Sequence, residues 1–299
     1  MSGKLSPHTQ RILTAAVEIA GDAPSDQDKA FITRQLVQTT LPHADPGNVP
    51  VWSRTNGDTT LTIQQGYDDD GTPYGHPFGT IPRLLMYWMT TEALRTKSPK
   101  LELGNSLAAF MEELGLDHRS KGVRSDRVRL QNQMTRLFEA QIRITRRVEI
   151  DGQVGEGRKR WQVAEDTEFW WDKKNPSQSA LWGSYVVLHQ KFFEAITSNP
   201  VPVDLRALRA IKRSPLALDL YSLMTYQAFR ASKSGRPLFM TWKQLQAALG
   251  TSYTDPADLK KAVKDALRKI GAVYPGLELG GKEGGLEVLP QSLPAIAVR

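Results

Sequence analysis

Cysteine is absent from the 299-residue sequence. Disulfides and zinc or iron–sulfur centres with cysteine ligands are therefore excluded. The sequence also lacks an uninterrupted run of about 18 apolar residues, the shortest length that spans a bilayer, and the residues after Met1 lack the apolar core of a secretion signal. These absences predict a cytoplasmic protein without a membrane contact.

Residues that could hold a metal or a cofactor are few and scattered. The histidines, none of which forms a close pair of ligands, are His8, His43, His76, His118 and His189. Three aspartates are adjacent at 68–70, but they lack the alternating ligand spacing of a calcium loop. Residues 276–283 have the glycine and lysine spacing of a phosphate-binding loop, but glutamate replaces the required Ser or Thr and a strand is predicted next. We therefore expect neither a metal nor a cofactor.

Basic residues outnumber acidic ones in the last two thirds of the chain. The net charge is +7 overall. Residues 1–78 carry 5 basic and 9 acidic side chains, whereas residues 201–299 carry 15 basic and 8 acidic ones. Because neutralised phosphates supply most non-specific affinity for DNA, this asymmetry indicates a nucleic-acid partner. A solvated basic surface is the alternative that charge alone leaves open.

The stretch from Asn105 to Ile150 has the element order of a winged helix. A short apolar run ends at Gly115, and Ser125 begins a second helix after a polar, basic connector. Its apolar stripe, at i, i+4, i+7 and i+8, consists of Leu130, Met134, Leu137 and Phe138. The opposite face, which is basic and polar, consists of Ser125, Arg129, Asn132 and Arg136. Residues 142–148 and 158–163 then predict a β-hairpin with a basic, flexible tip.

The same order returns about 135 residues later. A helix capped by Ser214-Pro215, a strand at 237–240 and a short helix at 242–249 precede a helix that begins at Pro256. On the side of that helix opposite its apolar stripe, with Lys260 at the edge, lie Lys261, Lys264 and Arg268. Residues 272–274 and 285–289 bracket Lys282 as a second hairpin. The fold class predicted is α+β, with tandem winged-helix domains and a small N-terminal α+β extension.

The repeated order of elements and the preceding extension predict three domains. Residues 1–78 form the N-terminal extension, with a helix from Ser6-Pro7 to Gly21, a second helix from Ser25 to Val37, and a hairpin turned by Asn56-Gly57. Residues 79–200 form the first winged-helix domain with aromatic-rich strands, and residues 201–299 form the second. Pro200-Val201-Pro202 is the predicted linker. The aromatic side chains between the repeats, which favour packing over base stacking, are Phe169, Trp170, Trp171, Trp182 and Tyr185.

The predicted DNA contacts follow from the two winged helices. One major groove would face Ser125, Arg129, Asn132 and Arg136, and another would face Lys261, Lys264 and Arg268. Phosphates would be reached by Arg124 and Lys260. The wings, which would contact the backbone or the minor groove, contribute Arg158, Lys159, Arg160 and Lys282. Arginine and asparagine can read guanine and adenine edges, whereas lysine more often holds phosphate.

An enzymatic alternative rests on carboxylates. If the chain around Phe169 is a strand, Asp166, Glu168 and Asp172 share a face and could hold metals for phosphodiester cleavage. A solvated strand edge explains the same residues. We assign no catalytic residue and expect a protein that is not an enzyme.

The chain from Tyr74 to about Ile150 resembles the plasmid-encoded RepA-type replication initiators. The segments that carry the resemblance are Tyr74-Gly75, 79–85, Trp88, Thr91-Glu92-Ala93, 95–98, 101–104, Phe110-Met111, Leu114-Gly115, Gln133-Met134 and 136–138. The resemblance implies an initiator that binds repeated sites in double-stranded DNA, called iterons, at a plasmid origin and helps to open the adjacent duplex.

The same resemblance implies partners. It implies recruitment of host replication proteins such as a helicase or its loader, and repression of the initiator's own promoter by a dimer. Some relatives carry a leucine-zipper-like amino terminus, and here Leu5, Ile12 and Ile19 keep a seven-residue spacing. A winged-helix transcriptional repressor without initiator activity is the nearest alternative, and a metal-dependent nuclease is the more distant one.

Overall fold

Short helices alternate with small antiparallel sheets in a computed structural model of the chain. The structure describes residues 6–120, 122–150, 153–169, 183–251, 253 and 255–296. Two units result: unit 1 comprises residues 1–43 and 200–299, and unit 2 comprises residues 44–199. The predicted α+β class is confirmed. Within the described ranges, no helix is both long and apolar enough to cross a bilayer.

The helices of the described chain are α1 (Pro7–Gly21), α2 (Arg34–Gln38), α3 (Thr80–Thr96), α4 (Leu107–Glu113), α5 (Asp126–Phe138), α6 (Gln190–Thr197), α7 (Leu205–Ile211), α8 (Pro215–Ser234), α9 (Trp242–Leu249) and α10 (Pro256–Val273). The strands are β1 (Lys29–Thr33), β2 (Val51–Asn56), β3 (Thr59–Gln64), β4 (Gly66–Tyr67), β5 (Pro73–Gly75), β6 (Lys100–Glu102), β7 (Gln141–Ile150), β8 (Gln153–Gln162), β9 (Ala164–Glu168), β10 (Tyr185–Leu188), β11 (Pro200–Asp204), β12 (Leu238–Thr241), β13 (Leu279–Gly280) and β14 (Gly285–Val288). Most of the predicted helices and hairpins are present.

Unit 1 is held together by a strand pair that the sequence did not predict. β1 pairs antiparallel with β11, so that Lys29 lies opposite Asp204 and Thr33 lies opposite Pro200. The predicted helix from Ser25 through Val37 is therefore wrong over 29–33, and the predicted linker at 200–202 is a strand. Alternate burial of Ala30 and Ile32 suits a strand, and the distant partner supplies its hydrogen bonds.

The core of unit 1 surrounds α8. From Leu216 to Thr225 this helix is buried on all sides, including Leu218, Tyr221 and Met224, as expected for a central helix. The Tyr221 hydroxyl accepts a 3.2 Å hydrogen bond from the backbone N–H of Asp204. The pairing of β1 with β11 and the packing of α2 on α8 place residues 6–43 with the carboxyl-terminal part of the chain. The predicted extension 1–78 is thus divided between the two units.

Unit 2 contains a four-stranded sheet in the order β2-β3-β7-β8. The predicted hairpin at Asn56-Gly57 is confirmed, and Gly57 takes a φ of 59° that glycine adopts without strain. The predicted hairpin after α5 is also confirmed as β7 and β8, and β7 pairs with β3 as well. In the helical core, Trp88 on α3 meets Phe110 on α4 edge to face, with ring centroids 4.9 Å apart.

The element order of unit 2 is repeated in unit 1, as the sequence predicted. The orders are α3-β6-α4-α5-β7-β8 and α8-β12-α9-α10-β13-β14. Strand pairing differs between the two repeats. In unit 1, β12 pairs with β14, a strand of the hairpin that follows α10, whereas in unit 2, β6 pairs with β10 and not with the hairpin that follows α5. The strand predicted at 272–274 is wrong, because α10 continues to Val273, whose side chain is buried.

We predict that Asp204→Ala destabilises unit 1 by about 3 kcal/mol, because it leaves a buried guanidinium without its main partner. The Asp204 Oδ2 lies 2.8 Å from the Arg206 Nη2, and both side chains are at most 6% exposed. The Asp28 Oδ1, which lies 4.0 Å from the Arg206 Nε, compensates only part of the lost charge interaction. The measurement is the free energy of unfolding in urea. Asp265→Ala, which removes an exposed partner of Arg268, serves as the control and should cost less than about 1 kcal/mol.

Candidate nucleic-acid interface

The amino-terminal end of α5 is fixed by Ser125. Its hydroxyl accepts a hydrogen bond from the Val128 backbone N–H at 3.4 Å, which caps the helix. Asp126 in the first turn complements the positive end of the helix dipole. Ser125 is only 5% exposed. The structure therefore gives this residue a capping role and does not place it on the surface predicted to face DNA.

Two predicted contact residues on α5 do face solvent. Arg129 and Asn132 are exposed, and Arg124 is exposed just before the helix. The Arg129 Nη1 lies 3.0 Å from the Asp126 Oδ1. Because an exposed ion pair contributes at most about 1 kcal/mol, the Arg129 guanidinium can exchange this carboxylate for a base edge or a phosphate. We call Arg124, Arg129 and Asn132 the α5 face.

Arg136 is oriented inward rather than toward solvent. Its Nη1 donates to the Asp45 Oδ2 at 3.1 Å and to the His76 carbonyl at 3.2 Å. Its guanidinium also lies 5.2 Å from the centre of the Phe78 ring. Only 24% of the side chain is exposed. Arg136 thus binds the carboxyl-terminal turn of α5 to Asp45 and to the loop that contains His76 and Phe78. We therefore leave Arg136 out of the α5 face.

α10 presents the second basic surface. Its buried stripe consists of Leu259, Val263, Ala266, Ile270 and Val273. Lys261, Lys264 and Arg268 lie on the opposite side and are exposed, as predicted, and we call them the α10 face. Lys260 is exposed at the edge, 5.8 Å from the centre of the Trp242 ring. Arg268 pairs with Asp265, which leaves both lysines without an acidic partner among the described residues.

The hairpin cations are not where the sequence predicted them. Arg158, Lys159 and Arg160 lie within β8, opposite residues 143–145 of β7, rather than at a flexible tip. The glycines predicted to form the turn, Gly155 and Gly157, are also part of the strand. Since side chains alternate along a strand, Arg158 and Arg160 point to one face and Lys159 to the other. In the other hairpin, Lys282 is exposed and its ammonium lies 4.6 Å from the centre of the Phe239 ring.

Comparison with known proteins identifies the family. Residues 76–244, more than half of the chain, match the family described as "Plasmid encoded RepA protein". The chain belongs to this family. The resemblance inferred from Tyr74 onward is confirmed, and with it the assignment to the plasmid replication initiators.

Two solved structures are similar to this RepA-family chain. The first is a crystal structure of RctB domains 2–3, with 12% sequence identity and a TM-score of 0.47 over 85% of this chain and 94% of that one. The second is a selenomethionine derivative of domains 2 and 3 of RctB, with 12% identity and a TM-score of 0.46 over 89% of this chain and 98% of that one. No curated protein sequence matches the chain.

Two carboxylates of the nuclease alternative lie beside a tyrosine in this RepA-family chain. Asp166 and Glu168 lie on β9, and the Tyr185 hydroxyl on β10 donates to the Asp166 Oδ2 at 3.2 Å. The pKa of Tyr185 is raised, first because its hydroxyl donates a hydrogen bond to Glu168. Partial desolvation of the hydroxyl and its hydrogen bond to Asp166 raise the pKa further. Asp172 lies outside the described residues. In the part of the chain that the structure describes, no group of three or more potential metal ligands occurs.

Other predicted features take structural roles in this RepA-family chain. The Asp68 Oδ1 accepts from the backbone N–H groups of Asp70 and Thr72, so the acidic loop closes on itself. The Phe169 ring stacks on Phe138 with centroids 5.6 Å apart, which favours packing over base stacking. Ile12 is buried in unit 1, where α1 packs on α7 and α10. Trp170, Trp171, Trp182 and Leu5 lie outside the described residues.

We predict that Arg136→Ala lowers the stability of unit 2 by about 1–2 kcal/mol, because it removes two charge-assisted hydrogen bonds. Sequence preference for DNA should be retained. Arg129→Ala, which removes an exposed ion pair with Asp126, should change stability by less than about 0.5 kcal/mol. Urea unfolding followed by tryptophan fluorescence measures both. Equal stability of the two variants would return Arg136 to the DNA-contacting surface.

Proposed function

We propose that the chain binds repeated sites in double-stranded DNA at a plasmid origin and promotes opening of the adjacent duplex. The observation that carries the proposal is the repeated module: in each unit a short helix and a turn precede a helix whose outer side is basic and exposed. A helix of that kind, followed by a hairpin, is the arrangement of winged helices, in which the second helix enters the major groove. Family membership supports origin DNA as the ligand.

The two exposed faces are proposed to have different tasks. The α5 face offers Arg129 and Asn132, which can make paired hydrogen bonds to guanine and adenine edges. The α10 face offers two lysines and one arginine, and lysine is a point charge suited to phosphate. Arg124 on the α5 face and Lys260 at the edge of the α10 face would hold phosphates, and Lys282 would contact the backbone from the second hairpin. Specificity would therefore come mainly from α5, and much of the affinity from α10.

Further partners belong to the same proposal. The chain would recruit host replication proteins, such as a helicase or its loader, and a dimer of it would repress its own promoter. Ile12, which shares the seven-residue spacing of the amino terminus, is buried within unit 1. We therefore do not assign the dimer contact to α1. A transcriptional repressor without initiator activity would use the same faces and is the second candidate.

We predict that Arg129→Ala and Asn132→Ala each weaken binding to the specific site by roughly 1–3 kcal/mol and leave binding to random duplex nearly unchanged. Lys261→Ala and Lys264→Ala should weaken both by similar factors and each reduce the slope of log K against log salt by about 0.9. Arg95→Ala is the matched control, because Arg95 is exposed and pairs with Glu92 three residues earlier, as Arg129 pairs with Asp126.

These variants are compared by fluorescence anisotropy on a selected site and on a random duplex of equal length. If Arg129→Ala weakened binding to both duplexes equally, the base-reading assignment of the α5 face would be incorrect. A loss with Arg95→Ala as large as that with Arg129→Ala would indicate a general effect of net charge.

We predict that DNA fragments selected from random sequence by the protein contain short direct repeats, and that a supercoiled origin plasmid becomes reactive to permanganate in an AT-rich segment. A repressor would select inverted repeats and would leave the AT-rich segment double-stranded. The same plasmid, incubated with Mg²⁺ or Mn²⁺, should remain unnicked. If nicks appeared and Asp166→Ala abolished them, the nuclease alternative would replace the proposal.

A further inference from the structure

The sheet β2-β3-β7-β8 of unit 2 has two very different faces. Directly opposed residues of antiparallel strands lie on the same face, so the registers assign the described side chains at 51–56, 59–64, 141–147 and 155–162 to one face or the other. One face has an apolar, buried centre formed by Leu61, Ile63, Ile142, Ile144 and Trp161, with Arg54, Arg146 and Lys159 around it. The other, which we call the outer face, consists of Val51, Ser53, Thr55, Thr60, Thr62, Gln64, Gln141, Arg143, Thr145, Arg147, Glu156, Arg158, Arg160 and Gln162.

The outer face is polar and strongly basic. The described members named above include four arginines and one acid, Glu156, and most of these side chains are exposed; Thr62 and Thr145 on the two inner strands are the buried ones. Glu156 is already occupied, because its Oε2 lies 2.8 Å from the Arg158 Nη2. The pKa of Glu156 is lowered first by this hydrogen bond and also by the charges of Arg147 and Arg143. The positive charge of the face is therefore only partly neutralised within unit 2.

Two of the arginines are directly opposed. Arg143 on β7 faces Arg160 on β8, and like charges at opposed positions destabilise a sheet. No ion pair joins either of them to a carboxylate among the described residues. The Arg143 Nε is buried without a hydrogen-bond acceptor in the described part of the chain. An anion between the two guanidiniums would relieve the repulsion and accept from their donors.

We propose that the outer face binds the phosphate backbone of duplex DNA, as a contact separate from the α5 and α10 faces and independent of sequence. Charge complementarity selects a polyanion, because four arginines spread over two adjacent strands match successive phosphates better than a single small anion. The described residues of the outer face include no aromatic ring, and single strands are bound by stacking on such rings. Trp52 and Trp161 lie on the opposite face of the sheet.

Strand alternation supplies a control of equal charge. Arg146 and Lys159 are exposed cations on the same two strands, each next to a residue of the outer face, but they belong to the opposite face. The double variant Arg143→Gln/Arg160→Gln and the double variant Arg146→Gln/Lys159→Gln therefore remove the same charge from the same hairpin. Only the first pair removes it from the outer face. Arg147→Gln/Arg160→Gln, at two exposed positions, repeats the test if the partly buried Arg143 is needed for folding.

The experiment measures the affinity of the full chain for a random-sequence duplex at several salt concentrations, with urea unfolding as a check on the fold. Loss of two phosphate contacts should reduce the slope of log K against log salt by about 1.8. Arg143→Gln/Arg160→Gln should show this reduction and weaken binding to a selected site by the same factor. Arg146→Gln/Lys159→Gln should keep the wild-type slope.

Three results would overturn the proposal. Equal slope changes for both pairs would mean that net charge alone matters, and no change for either pair would mean that the face does not contact DNA. A loss limited to a single strand of the same length would assign the face to single-stranded DNA. This inference rests on the proposed function only in having DNA as its ligand. If the wild-type protein bound no duplex, both the proposed function and this inference would be contradicted. If the outer-face variants bound duplex as the wild type does, only this inference would be contradicted.

Discussion

Pairing between β1 and β11 is the contact on which unit 1 depends. It joins residues 29–33 to residues 200–204, about 170 positions further along the chain. At the end of this ladder Asp204 caps α7, accepting from the Arg206 N–H at 2.8 Å, and binds the Arg206 side chain. Arg206 in turn reaches the Asp22 carbonyl after α1. Backbone pairing and a buried ion pair thus fix the amino-terminal segment to the helices that carry the α10 face.

Local signals were sufficient for the elements with local causes. Ser6-Pro7 caps α1 as predicted, α5 begins at the predicted position next to Ser125, and the apolar stripes identified α5 and α10. The strand at 29–33 was missed because its partner is remote and its composition, Lys-Ala-Phe-Ile-Thr, also suits a helix. The prolines at 200 and 202 suggested a linker, yet proline is tolerated in a short two-stranded ladder. In both segments, pairing with a distant strand determines the secondary structure and overrides the preference of the local sequence.

The same limit applies to the DNA-contacting surfaces. Helical periodicity places Arg129, Asn132 and Arg136 on one line, and the first two are exposed as expected. Arg136 differs because Asp45 and the His76 carbonyl, which come from the region predicted to be a separate extension, bind its guanidinium. The alternation of Arg143 and Thr145 with Ile142 and Ile144 is visible in the sequence. Its importance becomes apparent only when β2 and β3 extend the hairpin into a broad sheet.

The interrupted connectivity of unit 1 has a consequence for synthesis. The 156 residues of unit 2 are contiguous, from Ala44 to Asn199, so this unit can fold as soon as it leaves the ribosome. The first 43 residues emerge earlier but find their strand partner only after residue 204 has been made. A newly made chain therefore exposes the unpaired edge of β1 during most of translation. Until then Ile32 and Val37 lack the partners that bury them in the folded unit, and an unpaired strand with apolar neighbours favours association between chains.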